Sequence, residues 1–141
     1  MKSKITLIGV FLLQPMFLWG CAAAPHAKVF EQSSAVQLRS YQSRAFDTAD
    51  RQKTLRTVIA ALQDLGFVID KADALIGTVT ATKFDGYALR ATVTVRPRGE
   101  TQTLVRANAT IDNRAIEEPE PYQDFFVALE KAMFLTARQI D

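Results

Sequence analysis

The sequence predicts a single α+β domain, a two-layer sandwich in which an antiparallel sheet carries two helices on one face. Three observations carry that prediction. Leu55, Val58, Ile59, Leu62 and Leu65 recur at helical spacing along one stripe. Residues 87–96 and 101–112 alternate apolar and polar side chains on either side of Pro97-Arg98-Gly99-Glu100, a hairpin connection. Tyr122, Phe125, Phe126, Leu129, Ala132 and Met133 then form a second helical stripe. A block of strands closed by a helix segregates helices from strands, which is the α+β pattern.

In chain order, residues 37–46 alternate imperfectly and are read as the first strand, with Leu38, Ser40, Gln42 and Arg44 on one side and Arg39, Tyr41, Ser43 and Ala45 on the other. Asp47 is the expected N-cap of the first helix, and Asp50 adds negative charge to its first turn. Arg51, Lys53, Arg56, Gln63 and Asp64 lie mostly outside the apolar stripe, so the helix is amphipathic. Gly66 suits the left-handed position that ends a helix, and Phe67 after it is placed to pack back on Leu62. A strand follows over 67–70, a turn over 71–76, and a strand over 77–83 in which Val79 and Ala81 alternate with threonines. Phe84-Asp85-Gly86 supplies turn chemistry. In the next strand Tyr87, Leu89, Ala91, Val93 and Val95 share one face, and Arg90, Thr92, Thr94 and Arg96 share the other. Its partner returns with Val105, Ala107, Ala109 and Ile111 inward. The meander so formed is covered on one side, because its Thr- and Arg-rich face is polar enough to stay wet.

Residues 113–121 read as an acidic, proline-bearing loop, with Pro119 and Pro121 leading into the final helix. Phe134 and Leu135 widen the stripe of that helix beyond what one sheet face needs. Core packing is the preferred reading of the excess, and a partner surface is the alternative. The order β-α-β-β-β-α, with a long last helix lying across the sheet, is a helix-grip arrangement.

The N-terminus has a different character. Lys2 and Lys4 precede a short apolar run over 5–13, which Gln14 and Pro15 interrupt well before the roughly 20 apolar residues of a membrane span. Leu18-Trp19-Gly20-Cys21 follows and resembles the cleavage and lipidation box of bacterial lipoproteins, with Trp19 in place of the usual small or aliphatic residue. The resemblance implies a signal peptide over 1–20, removal after Gly20 and acylation of Cys21. An ordinary secretory signal cut near Ala22-Ala23-Ala24 is the alternative, and both place the domain outside the cytoplasm. Ala22, where an Asp would imply retention at the inner membrane, implies the outer membrane. Residues 21–36 are then the lipidated cysteine and a flexible tether, and 37–141 a single periplasmic domain. About 14 extended residues reach about 45 Å.

The whole chain of 141 residues carries a formal charge of +2. Residues 1–20 contain Lys2, Lys4 and no acid, so their removal leaves acids and bases equal in number and gives no electrostatic support for nucleic-acid binding. Cys21 is the sole cysteine, so neither a disulfide nor a thiolate metal site is expected.

Four stretches carry a further resemblance: Phe46-Asp47-Thr48 with Asp50, 62–67 with Ile69, Thr80-Ala81-Thr82-Lys83, and 122–126 with Leu129. In these, over most of residues 37–138, the chain resembles small bacterial outer-membrane lipoproteins of unassigned function. In element order and anchoring it is similar, more distantly, to the helix-grip domains of the C lipoprotein of the outer-membrane barrel-assembly machinery. The resemblance implies a fold and an anchor, and no reaction.

Chemical motifs are sparse. His26 is the sole histidine and falls in the tether, where it cannot be held against Ser40 or Ser43 for nucleophilic catalysis. Asp70 and Asp73, or Glu117, Glu118 and Glu120, lack calcium-loop spacing, and no Gly-rich phosphate loop is present. No cofactor or metal is expected. Arg39, Arg44, Arg90, Arg96, Arg98 and Arg106 are read as keeping an open sheet face wet, with phosphate or lipid headgroups as the alternative role. The expected function is that of a non-enzymatic outer-membrane lipoprotein, an accessory or scaffold subunit with an envelope protein partner. A binder of lipid or another apolar ligand between sheet and last helix is the second expectation. Tyr122, Phe126, Phe134, Arg90, Arg96 and Arg106 are the candidate partner or ligand surface.

Overall fold

The computed structural model describes residues 35–138. Leu18, Trp19, Gly20, Cys21, His26 and nearly all of the expected tether lie outside the described residues, as does the side chain of Leu135. The elements are α1 (residues 35–42), β1 (Ser43–Phe46), α2 (Arg51–Asp64), β2 (Val68–Asp73), β3 (Thr78–Phe84), β4 (Ala88–Arg98), β5 (Gln102–Ile111), β6 (Arg114–Ala115) and α3 (Glu120–Arg138). All strand pairs are antiparallel, in the order β1-β5-β4-β3-β2, with β6 also on β5. The α+β sandwich is as the sequence predicts, but four strands and the short β6, not the three of the expected order β-α-β-β-β-α, stand between α2 and α3, and α1 adds a third helix.

The first segment differs from the expected strand over 37–46. It is helical through residue 42, and only Ser43–Phe46 pairs with β5. The alternation was weak because Leu38 and Tyr41 lie three apart, on one helical face, and both pack against the core. Gln42 is buried beside them and donates from Nε2 to the Tyr122 hydroxyl at 3.3 Å. Residues 35 and 36, expected in the tether, are part of the same helix.

At the next junction the cap is Asp50, not Asp47. Asp50 Oδ1 accepts from the Lys53 N–H at 2.8 Å, satisfying one of the free donors of the first turn. Asp47 instead accepts from Gln102 Nε2 at 2.6 Å, and the Thr48 carbonyl accepts from the Thr103 hydroxyl, also at 2.6 Å. The Phe46-Asp47-Thr48-x-Asp50 motif is therefore a staple between β1, α2 and the start of β5. Helix α2 buries Thr54 and Thr57 as well as its apolar stripe, since it packs on both the sheet and α3. Both hydroxyls donate to the carbonyl four residues earlier, Asp50 and Lys53, at 2.9 Å, so neither is left unsatisfied. The helix stops as the sequence predicts. Gly66 has φ +82°, its N–H bonds the Gln63 carbonyl, and the Phe67 N–H reaches the Leu62 carbonyl, the paired bonds of a Schellman motif.

Strand β2 runs three residues further than expected, with an irregularity at Asp70, and the turn shrinks to residues 74–77. Asp73 Oδ1 accepts from the N–H groups of Leu75 and Ile76, and the Arg51 guanidinium donates to the carbonyls of Ala74 and Leu75. Gly77 is obligatory here: its φ is +70°, and an added Cβ would run into the Val95 carbonyl oxygen. The two-strand hairpin β5–β6, turning at Asp112 and Asn113 with positive φ, was not foreseen within the expected loop over 113–121.

The core lies between the inner sheet face and the helices. Val79, Ala81, Ala91, Val93, Val95, Val105 and Ala107 come from the sheet, Leu55, Val58, Ala61 and Leu62 from α2, and Tyr122, Phe125, Phe126 and Leu129 from α3. Each large side chain so buried contributes about 1.5–3 kcal/mol. No helix among the described residues is long and apolar enough to cross a membrane.

Candidate functional site

The expected surface of six residues divides between the two sides of the sheet. Tyr122 and Phe126 are 2% and 0% exposed, so neither lies on an outer surface that a protein partner could meet, while Tyr122 is in the lining of the cavity between the sheet and α3. The Tyr122 hydroxyl is fully used. It donates to the Ile116 carbonyl at 2.6 Å and accepts from Gln42 Nε2 and from the Ala109 N–H, both at 3.3 Å. Ala109 lies on β5 between the stretch paired with β1 and the stretch paired with β6. Its N–H finds the tyrosine and its carbonyl accepts from the Ile116 N–H at 2.9 Å, so one phenol closes the gap in the edge and ties α1, β5 and α3 together. Phe134 is exposed, near the end of α3.

The arginines separate into three settings. Arg39 is on α1. Arg44 faces the helices, in register with buried Val105, and its guanidinium lies 4.9 Å from the centroid of the Phe126 ring and 2.6 Å from Glu130 Oε1. This corrects its assignment to the open face: Arg44 falls on the side of the segment that carries Leu38 and Gln42, and that side turns to the core. Arg90, Arg96, Arg98 and Arg106 do project from the open face, where none of their guanidinium groups has an ion-pair or hydrogen-bond partner among the described residues.

Register places these four. Arg96 is opposite Leu104 and thus diagonal to Arg106, with Cα atoms at about 7–8 Å for such neighbours. Arg98 extends that end of the face. Arg90 is opposite Thr110, four residues along the strand from the position opposite Arg106, or about 13 Å at the usual rise. It lies in a shallow depression with Asp70, Thr82, Phe84, Thr110 and Asp112. Asp70 Oδ2 accepts from the Thr82 hydroxyl at 2.6 Å there. The face therefore presents a basic end and a mixed end.

On the covered side, a cavity of about 140 Å³ opens between the inner sheet face, the end of α2 and the start of α3. Leu62, Phe67, Leu89, Ala91, Ala109 and Phe125 are among its walls, and Lys83 and Asp124 are at its margin. At the far end of the sheet the β2–β3 turn holds Leu75 and Ile76 outward, Leu75 being 89% exposed on a turn fixed by Asp73, Arg51 and Gly77. Among the described residues no group of three or more His, Cys, Asp or Glu side chains is placed to hold a metal ion.

Comparison of the chain with models of known protein families and with curated proteins returns no match.

Proposed function

We propose that the chain is a non-enzymatic lipoprotein of the outer membrane, held by acyl chains on Cys21, whose α+β domain stands in the periplasm as an accessory or scaffold subunit of an envelope complex. The observation that carries this reading is the box Leu18-Trp19-Gly20-Cys21 behind Lys2, Lys4 and a short apolar run. Two or more acyl chains anchor a protein stably, each buried methylene contributing about 0.8 kcal/mol. The partner side of the proposal is supported by the basic end of the open face, where Arg96 and Arg106 are unpaired, and by the rigid apolar turn at Leu75 and Ile76. Guanidinium groups that no acid among the described residues neutralises are suited to an acidic partner surface.

The test is palmitate labelling joined to a crosslinking pull-down from intact envelopes, beside a Cys21→Ser control. Label on the wild type alone, with a recurrent envelope complex lost in the control, is the expected result. Absence of label sinks the anchor, and an anchored protein with no near-stoichiometric partner sinks the accessory role.

A second reading, a binder of an apolar ligand between sheet and last helix, is favoured by one observation, the cavity beneath α3. Its volume of about 140 Å³ is below the roughly 300–1,000 Å³ of sites for drug-sized ligands.

A further inference from the structure

Directly opposed on β4 and β5 are Ala91 and Ala109, with Ala107 diagonal to Ala91, and all three lie on the inner face and line the cavity. Larger residues at these positions would bring side chains up to the helices. Alanine leaves the sheet floor low, and neither Phe67 from the end of α2 nor Phe125 from α3 closes the space above it. Nor does polar chemistry claim that space. Tyr122 contributes ring surface alone, since its hydroxyl is bonded to Gln42, Ala109 and Ile116, and no buried side-chain polar atom among the described residues lacks a partner. The walls are mainly apolar, with Asn108, Lys83 and Asp124 the polar residues among them, and no buried side chain asks for water; an engineered apolar cavity of about 150 Å³ takes up benzene.

We propose that this cavity is a receptor for one ring-sized apolar group, entering past Lys83 and Asp124 at the margin, and that it excludes a lipid chain. The proposal rests on the apolar-ligand reading above and narrows it. The volume fits a single aromatic ring, whereas an acyl chain of envelope lipid length far exceeds it. The ring can come from a free aromatic compound or from an aromatic side chain of a partner, which is the kind of anchor that dominates protein interfaces when it fills a pocket.

The experiment is a titration of the full chain, methyl-labelled at Ala and Leu, with benzene, with N-acetylphenylalaninamide and with decanoate, read by methyl NMR. Benzene is expected to saturate shift changes confined to Ala91, Ala107, Ala109, Leu62, Leu65 and Leu89. The amide is the arm that separates the sources: the same saturable changes with it assign the ring to a partner's side chain, and their absence assigns it to a free compound. Ala91→Leu fills the floor, so it is expected to weaken benzene binding at least tenfold while keeping or raising Tm. If that variant does not fold, Leu89→Phe closes the same space from its margin and is read in the same way. No saturable response to benzene overturns the proposal, as does undiminished binding by the filled variant. Tighter saturation by decanoate than by benzene overturns the ring-size limit and leaves the apolar-ligand reading standing, whereas no binding by any probe removes both.

Discussion

The two faces of one sheet are built from the same strands and differ in what their side chains must satisfy. On the covered face no buried side-chain polar atom among the described residues lacks a partner: the Tyr122 hydroxyl has three, and the Thr103 hydroxyl reaches the Thr48 carbonyl. On the open face Arg90, Arg96, Arg98 and Arg106 have none among the described residues, because water serves them. The same residue type shows the contrast within one strand pair. Arg44, facing inward from β1, is engaged by Phe126 and Glu130, while Arg106, opposite Ser43 on the same pair of strands, is free to solvent. Burial thus turns polar side chains into structural pins, and exposure leaves them available to a partner.

Substitutions that move charge or remove partners on the covered side test this contrast hardest. Leu62→Asp places an unpaired charge at a position 1% exposed, and is expected to cost about 4 kcal/mol or more, seen as loss of a cooperative transition in urea. Unchanged stability would mean that α2 does not pack by this face. Tyr122→Phe keeps the ring and deletes the hydroxyl, leaving Gln42 and the Ala109 N–H without an acceptor. About 2–3 kcal/mol of stability should be lost, with faster amide exchange at Ala109, and a loss below about 0.5 kcal/mol would show that the phenol is not the pin.

The arginines then separate the faces by smaller effects. Arg44→Gln removes a half-exposed ion pair and a cation–π contact, for an expected loss of about 1 kcal/mol, part of which is screened by salt. Arg96→Gln with Arg106→Gln should change thermal stability by less than about 0.5 kcal/mol. If the open-face pair cost as much as Arg44, the division of the arginines by face would fail.

Much of this was legible locally. The Gly66 stop, the α2 stripe, the β3–β4 and β4–β5 hairpins and the inward set Leu89, Ala91, Val93 and Val95 depend on neighbours within a few residues, and they formed as the periodicity and turn residues predict, whereas Tyr87, expected with that set, precedes β4 and is exposed. Residues 37–42 do not read as a helix because one apolar pair, Leu38 and Tyr41, is too little periodicity to outweigh the alternation that leads into β1. Asp47 and Asp50 are both competent caps, and the choice between them was made by Gln102 from a strand 55 residues away. The same holds for the candidate site. The stripe that marks Tyr122 and Phe126 as apolar does not say whether they face a core or a partner, and only Ala109, Ile116 and Gln42 around the hydroxyl show the former.

The sequence by itself determined the kinds and order of most elements and the polarity of each sheet face, since these follow from short-range spacing and backbone preference. Tertiary structure alone decided that α1 is a helix, which way Arg44 points, which Asp caps α2 and that three alanines on β4 and β5 leave a ring-sized space beneath α3. Each of those depends on distances between residues far apart in the chain, and such distances exist only once the layers are packed.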